Sequence, residues 1–351
     1  MQRRHLLVSL LLAWSLAGVG CHVDEAPAGP LPGTPPAGGD PSPVADTAAS
    51  VAAAAWKGEP LRIERFMDGA FEGRGWFDGP RGRLEAGGPP VSGDGARHFV
   101  CHFPPGATVC ADGTPGRLAF EDAEGIYLAY HVRYDEGWMG SGRPYHPHEF
   151  LLTTNVDSPF IGPARTHLTV YVEQNAGRPF IGLQDNLNVD PECILRNDGR
   201  LEGCGGGRLE DWPFGEARSV AACNGLMGDV DGSDCYPTGP GTWYSSRGWS
   251  APRAVLADPP PPGSGGWRRV EAAVVLNRIE AGVGIPDGRI RLWVDGELIV
   301  QSDRILFRTG AHPDMRFRHL LLAPYIGDGS PVDQRMRITN VVVARARSPE
   351  G

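Results

Sequence analysis

The stretch RIRLWVDGELIVQ, residues 289–301, decides the fold class. Its first half alternates between aliphatic residues and polar or aromatic residues, which is the two-residue period of a β-strand with unlike faces. The central pair Asp295-Gly296 favours a tight hairpin, because both central residues of a type I′ turn need positive φ. The stretch therefore predicts a β-hairpin with strands Arg289–Val294 and Leu298–Gln301.

The same alternation recurs on both sides of this hairpin, whereas no convincing amphipathic helix of useful length is found. In Ile126–Tyr134 the even-numbered residues are apolar, and the odd-numbered residues form a separate face that ends in His131 and Arg133. The other alternating runs are His167–Gln174, Val270–Leu276, Phe317–Ile326 and Met336–Ala344. Many short strands with unlike faces predict an all-β sandwich of two packed antiparallel sheets, with one sheet face left to meet solvent.

The first 21 residues predict export from a bacterial cell. A basic start, Arg3-Arg4, precedes the apolar run Leu6–Leu16, and four small residues then lead to Cys21. The run is too short for a comfortable membrane span, and small residues before a cysteine resemble the lipobox at which bacteria cleave and lipidate a new N-terminal cysteine. Gly18 replaces the usual leucine of the lipobox, so a plain secreted protein is the alternative.

Composition divides the chain into a signal, a tether and one globular domain. Residues 1–20 form the signal peptide. Residues 21–55 form the lipidated cysteine and a flexible tether that is rich in Pro, Gly and Ala and has too little apolar surface to fold. Residues 56–347 form the domain. This organisation predicts a monomer of the cell envelope, held at the outer membrane or cell surface by its lipid alone.

The cysteine count agrees with export. Six of the seven cysteines remain after Cys21, and an oxidising compartment converts paired thiols into disulfides. No Cys-x-x-Cys spacing favours a metal site instead. Short loop closure favours nearest-neighbour pairs, although other connectivities stay open. The expected pairs are Cys101 with Cys110, Cys193 with Cys204, and Cys223 with Cys235. Residues 190–250 hold four of these cysteines in a Gly-rich stretch, which predicts a disulfide-stapled loop insertion.

Charge and motifs disfavour several classes of function. The formal net charge of −9 disfavours binding to nucleic acids, because these partners require a positive field. Lys57 is the sole lysine and lies at the edge of the tether, so lysine-dependent catalysis is disfavoured. No Gly-x-Ser-x-Gly, P-loop or dinucleotide-binding motif is present, which leaves hydrolase-triad, nucleotide-binding and Rossmann functions without support.

The C-terminal part of the chain resembles a known family. WRRVEAAVVLNRIEAGVGIPDGRIRLWVDGELIVQSDRILFR (267–308), followed by APYIGDGSPVDQRMRITNVVVA (323–344), is similar to the C-terminal half of family-14-type polysaccharide lyases. The matching features are Trp267, Leu276-Asn277, Pro286-Asp287-Gly288, Trp293, Asp295-Gly296, Arg308, Gly327 and Asn340. Those lyases resemble alginate lyases and share the concanavalin A-like jelly roll, so the resemblance implies a jelly-roll β-sandwich.

The resemblance also implies a lyase that cleaves a uronic-acid-containing polysaccharide by β-elimination, without an organic cofactor. One departure matters. The family's Gly-Gly-Lys-Leu-Pro-Gly segment, expected after Tyr134, has no counterpart, and YHPHEFLLTT (145–154) stands in its place. The alternatives are therefore a non-catalytic glycan-binding or adhesive lipoprotein, and a structural envelope protein.

β-Elimination at a uronate needs a group that neutralises the carboxylate, a base, and an acid for the leaving oxygen. Lyases that resemble this chain use Arg, Asn, Gln, His and Tyr for these roles. We expect Arg133 to bind the carboxylate, His148 or His167 to act as the base, and Tyr171 to act as the acid. The alternative is that these residues are ordinary polar positions of solvated strand faces, so their convergence on one face is the test.

Other residues are candidates for binding a substrate or a metal. The substrate-binding candidates are His131, Gln184, Trp243 and Trp293, since polar groups can bind and aromatic rings can stack on a sugar, although core burial is the commoner fate of a tryptophan. Asp229, Asp231 and Asp234 form an oxygen-rich loop of the kind that calcium favours, with a plain acidic turn as the alternative. His146, His148 and Glu149 could also bind a metal, with an ordinary structural role as the alternative.

Overall fold

Two antiparallel sheets dominate the described part of the chain, as seen in a computed structural model. The structure describes residues 46–143, 146–160, 162, 166–175, 178–184, 235–238, 241–244, 246–250, 266–281, 283–285, 287–305, 307–308 and 312–349. All of them belong to one compact unit, Pro43–Gly351. Among these residues, no helix is long and apolar enough to cross a lipid bilayer.

The elements follow one another as one helix and nineteen strands within the described residues. They are α1 (Asp46–Trp56), β1 (Lys57–Glu64), β2 (Trp76–Phe77), β3 (Arg83–Ala86), β4 (Arg97–Phe103), β5 (Gly116–Ala123), β6 (Gly125–Tyr134), β7 (His148–Thr154), β8 (Thr169–Asn175), β9 (Arg178–Gln184), β10 (Cys235–Thr238), β11 (Gly241–Tyr244), β12 (Ser246–Ser250), β13 (Arg268–Val275), β14 (Ile279–Glu280), β15 (Val283–Gly284), β16 (Gly288–Val294), β17 (Glu297–Ile305), β18 (Phe317–Leu322) and β19 (Gln334–Ala346). Two short 3₁₀ helices lie at Glu72–Arg74 and Pro90–Ser92.

The strands form two large sheets. The first sheet has the order β17-β16-β13-β6-β19-β4-β3, and β1 pairs with a further part of β19. The second sheet has the order β12-β9-β8-β7-β18-β5-β2. The pairs β10-β11 and β14-β15 stand apart from both. The predicted all-β class and antiparallel sandwich are thus confirmed.

The predicted hairpin is present between β16 and β17. Val294 pairs with Glu297, and the two turn residues Asp295 and Gly296 have φ of 50° and 80°. These positive angles are the ones that an Asp-Gly turn supplies at low cost. The second strand is longer than predicted and runs to Ile305.

A single large apolar cluster fills the space between the two sheets. Ile126, Leu128, Tyr130 and Val132 of β6 contribute from the first sheet, which confirms the face predicted for this strand. Phe150, Leu152, Val170, Val172, Ile181, Leu183, Leu320 and Leu322 contribute from the second sheet. A disulfide joins Cys101 at the end of β4 to Cys110, which confirms one predicted pair. Burial of each large apolar side chain stabilises the fold by roughly 1.5–3 kcal/mol.

Part of the outer face of the first sheet, around Tyr127 and Trp293, is covered rather than solvated, which corrects the expectation for this part of β6. Tyr127 and Ala129 pack with Trp293 and with Ala53 and Trp56 of α1 in a second apolar cluster. The helix itself lies where a flexible tether was predicted to run to residue 55. Its sequence, DTAASVAAAAW, is rich in alanine, the best helix former, and its last turn finds an apolar surface to pack on.

Several predictions lie outside the described residues. These are the signal peptide 1–20, the lipidation site Cys21, the tether up to residue 45, the cysteines Cys193, Cys204 and Cys223, and the candidate calcium ligands Asp229, Asp231 and Asp234. The backbone of the predicted insertion 190–250 is described only at β10, β11 and β12. Cys235 belongs to β10, and its side chain is likewise outside the description.

Candidate functional site

Two histidines and a glutamate meet on the outer face of the second sheet. His148 begins β7, His146 lies two residues before it, and Glu173 lies on the neighbouring strand β8. One nitrogen of each histidine and one carboxylate oxygen of Glu173 all lie within 4.8 Å of one another. We call these three residues the His-His-Glu cluster.

A bulge in β7 separates this cluster from the interior. His148 pairs with Glu173 and Phe150 pairs with Val172, so the register shifts between these two positions. The shift places Glu149 and Phe150 both on the inner side, which a regular strand would not allow. Glu149 is 2% exposed.

Glu149 is held in the interior by two tyrosines. Its carboxylate accepts hydrogen bonds from the hydroxyl groups of Tyr130 and Tyr134. Burial, together with the Glu149 charge, raises the pKa of Tyr130 well above its usual value, which keeps that hydroxyl protonated as a donor. The metal ligand set that the sequence suggested therefore changes, because Glu149 points inward and Glu173 takes its place beside the histidines.

Glu173 and His148 form the closest pair of the cluster. Glu173 Oε2 lies 2.9 Å from His148 Nε2, and the Glu173 side chain is 4% exposed. No hydrogen bond of normal geometry reaches this oxygen from the described residues. The His148 ring lies against the ring of Tyr171, with centroids 4.6 Å apart. The carboxylate thus stands buried beside an imidazole.

His146 is positioned by the loop that follows β18. The backbone N–H of Gly327 donates a hydrogen bond of 3.0 Å to His146 Nδ1. The approach needs a glycine, because a Cβ at residue 327 would lie 2.6 Å from His146 Cε1. His146 has φ of 63°, in the left-handed region that non-glycine residues rarely adopt. Strained backbone of this kind is commonest at functional sites.

Two tyrosines flank the cluster, one below it and one at its rim. Tyr171 is 5% exposed and packs with Leu151 and Leu321 on the outer face. Its ring lies across the backbone of β9, where a Cβ at Gly182 would come within 2.0 Å of the ring. Tyr325 is 40% exposed, and its ring centroid lies 5.6 Å from that of His146. The rim tyrosine is thus the more accessible phenol.

Arg133 and His131 do not join this site. The expectation that Arg133 would share one sheet face with His148, His167 and Tyr171 is therefore corrected. Arg133 and His131 both lie on β6 in the first sheet. The Arg133 guanidinium lies 5.1 Å from the ring centroid of Trp267, and burial, with the nearby Arg337, lowers its pKa. Alternation shows which residues of a strand share a face, but it does not show which sheet the strand enters.

His167 lies at the opposite end of the second sheet from His148. It precedes β8, six residues before Glu173, and a strand rises about 3.3 Å per residue, so the two positions are about 20 Å apart. Its Nδ1 atom lies 2.7 Å from Asp157 Oδ1, and its ring packs edge-to-face on His312 at 4.4 Å. His148 and His167 therefore cannot serve the same substrate atom.

The remaining substrate-binding candidates are scattered. Trp293 is 2% exposed in the first sheet and packs against Trp56, with ring centroids 6.3 Å apart. Gln184 lies on β9 opposite Thr169, and Trp243 lies on β11; the structure describes only the backbone of both. Of the predicted residues, the site brings together His146, His148 and Tyr171.

Three residues of the site were missed as candidates. Glu173 lies two positions after Tyr171, so the two side chains share a face of β8. This two-residue period is the sequence signal from which Glu173 could have been predicted. Tyr325 lies in a segment that was predicted to be a strand up to Ile326, and Gly327 follows that segment directly. The strand ends at Leu322 instead, since Pro324 has no N–H to donate to a neighbouring strand.

Comparisons with known proteins give structural matches alone. No protein-family model and no curated protein matches the chain. Alginate lyase vAL-1 from Chlorella virus matches with a TM-score of 0.43 and 13% identity over 83% of this chain and 93% of that one. The marine PL-14 alginate lyase from Aplysia kurodai matches with a TM-score of 0.43 and 11% identity, over 82% and 100% of the two chains.

A third match is an endo-β-1,4-glucuronan lyase from the fungus Trichoderma reesei. Its TM-score is 0.39 and its identity 11%, over 82% of this chain and 95% of that one. All three proteins are described as lyases, two of alginate and one of glucuronan.

Proposed function

We propose that this protein is a polysaccharide lyase that cleaves a uronic-acid-containing polymer by β-elimination on the outer face of the second sheet. The observation that carries the proposal is the grouping of His146, His148 and Glu173 with the phenols of Tyr171 and Tyr325 on that face. The resemblance of residues 267–343 to family-14-type lyases supports the same reaction.

The proposed reaction breaks two bonds and forms one double bond. A base removes the proton on C5 of the uronate, the electron pair forms the C4–C5 double bond, and the C4–O4 bond breaks while O4 receives a proton. The base must act while the carboxylate on C5 is neutralised, because that charge otherwise opposes removal of the proton.

The hydroxyl of Tyr325 is the proton-transfer group in this proposal. Tyr325 is exposed at the rim and can reach a polymer, whereas Tyr171 lies beneath His148. We place His148 at the end of the site that receives the uronate carboxylate of the substrate, because its Nε2 already contacts the carboxylate of Glu173. The base role that the sequence suggested for His148 thus passes to the ionised oxygen of Tyr325, which would take the C5 proton and return it to O4 as the C4–O4 bond breaks.

Product formation tests the proposal directly. We expect the full-length, oxidised protein to generate the ultraviolet absorbance of an unsaturated uronate from alginate, glucuronan or pectate. Tyr325→Phe should lower the rate at least about 100-fold, the usual contribution of a proton-transfer group. Leu298→Ala, at an exposed position of the first sheet, is the control and should keep the rate.

The outcome also separates catalysis from binding. If the folded protein yields no product from the whole panel but retains a polysaccharide in a binding assay, the non-catalytic glycan-binding function replaces the lyase. The missing family lysine favours this second candidate.

We also propose that the protein is exported and anchored in the cell envelope through lipid on Cys21. The basic start, apolar run and small residues before this cysteine support the proposal. Mass spectrometry of the mature N-terminus checks it, since an unmodified chain that begins elsewhere would contradict it.

A further inference from the structure

We propose that His146, His148 and Glu173 bind a divalent transition-metal ion. Two imidazoles and one carboxylate are a ligand set that suits zinc, and such a set leaves coordination positions open for water or substrate. The role that we give the ion, neutralising the uronate carboxylate, rests on the proposed function, whereas the binding site itself stands on geometry.

The spacing of the three residues fits one ion. Their ligand atoms lie within 4.8 Å of one another, and His148 Nε2 lies 2.9 Å from Glu173 Oε2. Ligands that each bind zinc at about 2.0–2.2 Å lie roughly 3–4 Å apart. Small movements of the side chains therefore bring all three onto a common ion.

Burial of the Glu173 carboxylate supports the site. The side chain is 4% exposed, and its Oε2 accepts no hydrogen bond of normal geometry among the described residues. A buried carboxylate is costly unless a cation or several donors compensate for its lost hydration. An ion bound between Glu173 and the histidines supplies that compensation.

Charge explains what the ion adds to the proposed reaction. Neutral imidazoles and Glu173 give the cluster a charge of −1, and a uronate brings a second negative charge. Arg133, the cation expected at the substrate carboxylate, lies in the other sheet. A divalent ion changes the sign of the cluster, so the carboxylate of a substrate is attracted and its charge neutralised.

Metal binding competes with the hydrogen bond from Gly327 to His146. Gly327 N–H donates to His146 Nδ1, which places the proton of a neutral ring on Nε2. Binding through Nε2 would move that proton to Nδ1, and binding through Nδ1 would take the acceptor itself, so in either case the Gly327 amide must turn away from the ring. A single neutral hydrogen bond contributes far less than coordination of an ion by three ligands. The Gly327 amide is thus a reporter of binding.

Calorimetric titration of the full chain with zinc, after removal of metal by a chelator and without polysaccharide, tests the site. We expect one ion to bind, and the affinity to fall at least about 100-fold in His148→Ala, because a direct ligand matters at least as much as the groups that support it. Glu173→Gln keeps the size of the side chain and should also weaken binding, which provides a second test if His148→Ala does not fold.

The controls distinguish this site from adventitious binding. His102→Ala removes a histidine of the first sheet that pairs with Asp333 and should bind zinc as the unmodified protein does. Calcium should not displace the zinc, since calcium prefers oxygen ligands. The NMR signal of the Gly327 amide should shift on binding, which a site elsewhere would not cause.

Each outcome bears on one proposal. Absence of zinc binding, or equal binding by His148→Ala and the unmodified protein, overturns the metal site. Lyase activity that survives complete metal removal overturns the role of the ion and leaves the lyase in place. Zinc binding without any lyase product supports the site and overturns the proposed reaction.

Discussion

At the scale of single residues, the site depends on a glycine that lies outside the cluster. Tyr171 lies beneath His148 because residue 182, opposite it on β9, has no side chain. A methyl group at Gly182 would come within 2.0 Å of the phenol ring. The ring would have to leave its position against Leu151 and Leu321, and the support of His148 would move with it.

We therefore expect Gly182→Ala to lower the free energy of unfolding by about 1–3 kcal/mol, the usual cost of overpacking. Urea denaturation measures the change. Gly69→Ala is the matched control, because no atom lies within 4 Å of a Cβ at residue 69. This control should be neutral or slightly more stable, as alanine restricts the unfolded chain. Equal stability of the two variants would show that Tyr171 does not lie across β9.

At the scale of elements, α1 packs on the first sheet through Trp56. Trp56 ends the helix at 5% exposure, packs on Trp293, and lies under the Arg291 guanidinium, which is 4.8 Å from its ring centroid. The helix thus covers the part of the outer face of the first sheet around Trp293, whereas the outer face of the second sheet carries the His-His-Glu cluster.

Trp56→Ala should lower the free energy of unfolding by about 3 kcal/mol, because a large buried ring and its cation–π contact are both lost. Val51→Ala, on the same helix at 67% exposure, should change it by less than about 0.5 kcal/mol. Thermal or urea unfolding of both variants provides the comparison. A Trp56→Ala variant as stable as the Val51→Ala variant would show that α1 does not cover the sheet.

The alternation of apolar and polar residues predicted where the strands lie, but it did not predict which strands pair with one another. The inner face of β6 and the Asp295-Gly296 turn followed from local chemistry, since side-chain period and turn geometry are properties of a few adjacent residues. Arg133 and Tyr171 were placed together because each faces away from the core, yet their strands enter different sheets. Strand pairing depends on contacts between distant segments, which one alternating run does not encode.

The bulge in β7 limited prediction of the site in a different way. Strict alternation would place His148 and Phe150 on one face and Glu149 on the other. The inserted residue brings Glu149 and Phe150 to the same side, where Tyr130 and Tyr134 bind the carboxylate. The stabilising partners come from β6, a distant part of the chain, so the ligand role passes to Glu173.

At the scale of the whole molecule, buried histidines make the fold sensitive to acid. Burial lowers the pKa of His98, and the charges of Arg133 and Arg337 lower it further, against the opposing effects of Gly87 and Glu85. Burial lowers the pKa of two other histidines in the same direction, His312 and His319. The unfolded chain therefore binds protons more tightly than the folded chain at these positions.

The contribution of these histidines to the free energy of unfolding should be at its maximum above about pH 6.5, the pKa of an unfolded histidine. It should fall as the pH drops toward the lower pKa values that the histidines have in the folded protein. Urea titrations at several pH values between neutrality and mild acid measure this slope. His98→Gln removes one of the three groups and should make the slope shallower. An unchanged slope in this variant would contradict the assignment to His98.

The position of β19 in the first sheet determines when folding can be completed. This strand comes last in chain order, yet it lies inside the sheet and pairs with β1, β4 and β6, which all precede it. A chain that is still being synthesised therefore lacks the strand that joins the two parts of the first sheet, β17-β16-β13-β6 and β4-β3. The first sheet can therefore be completed only once residues 334–346 are available, so a chain that ends before β19 should lack the link between β6 and β4.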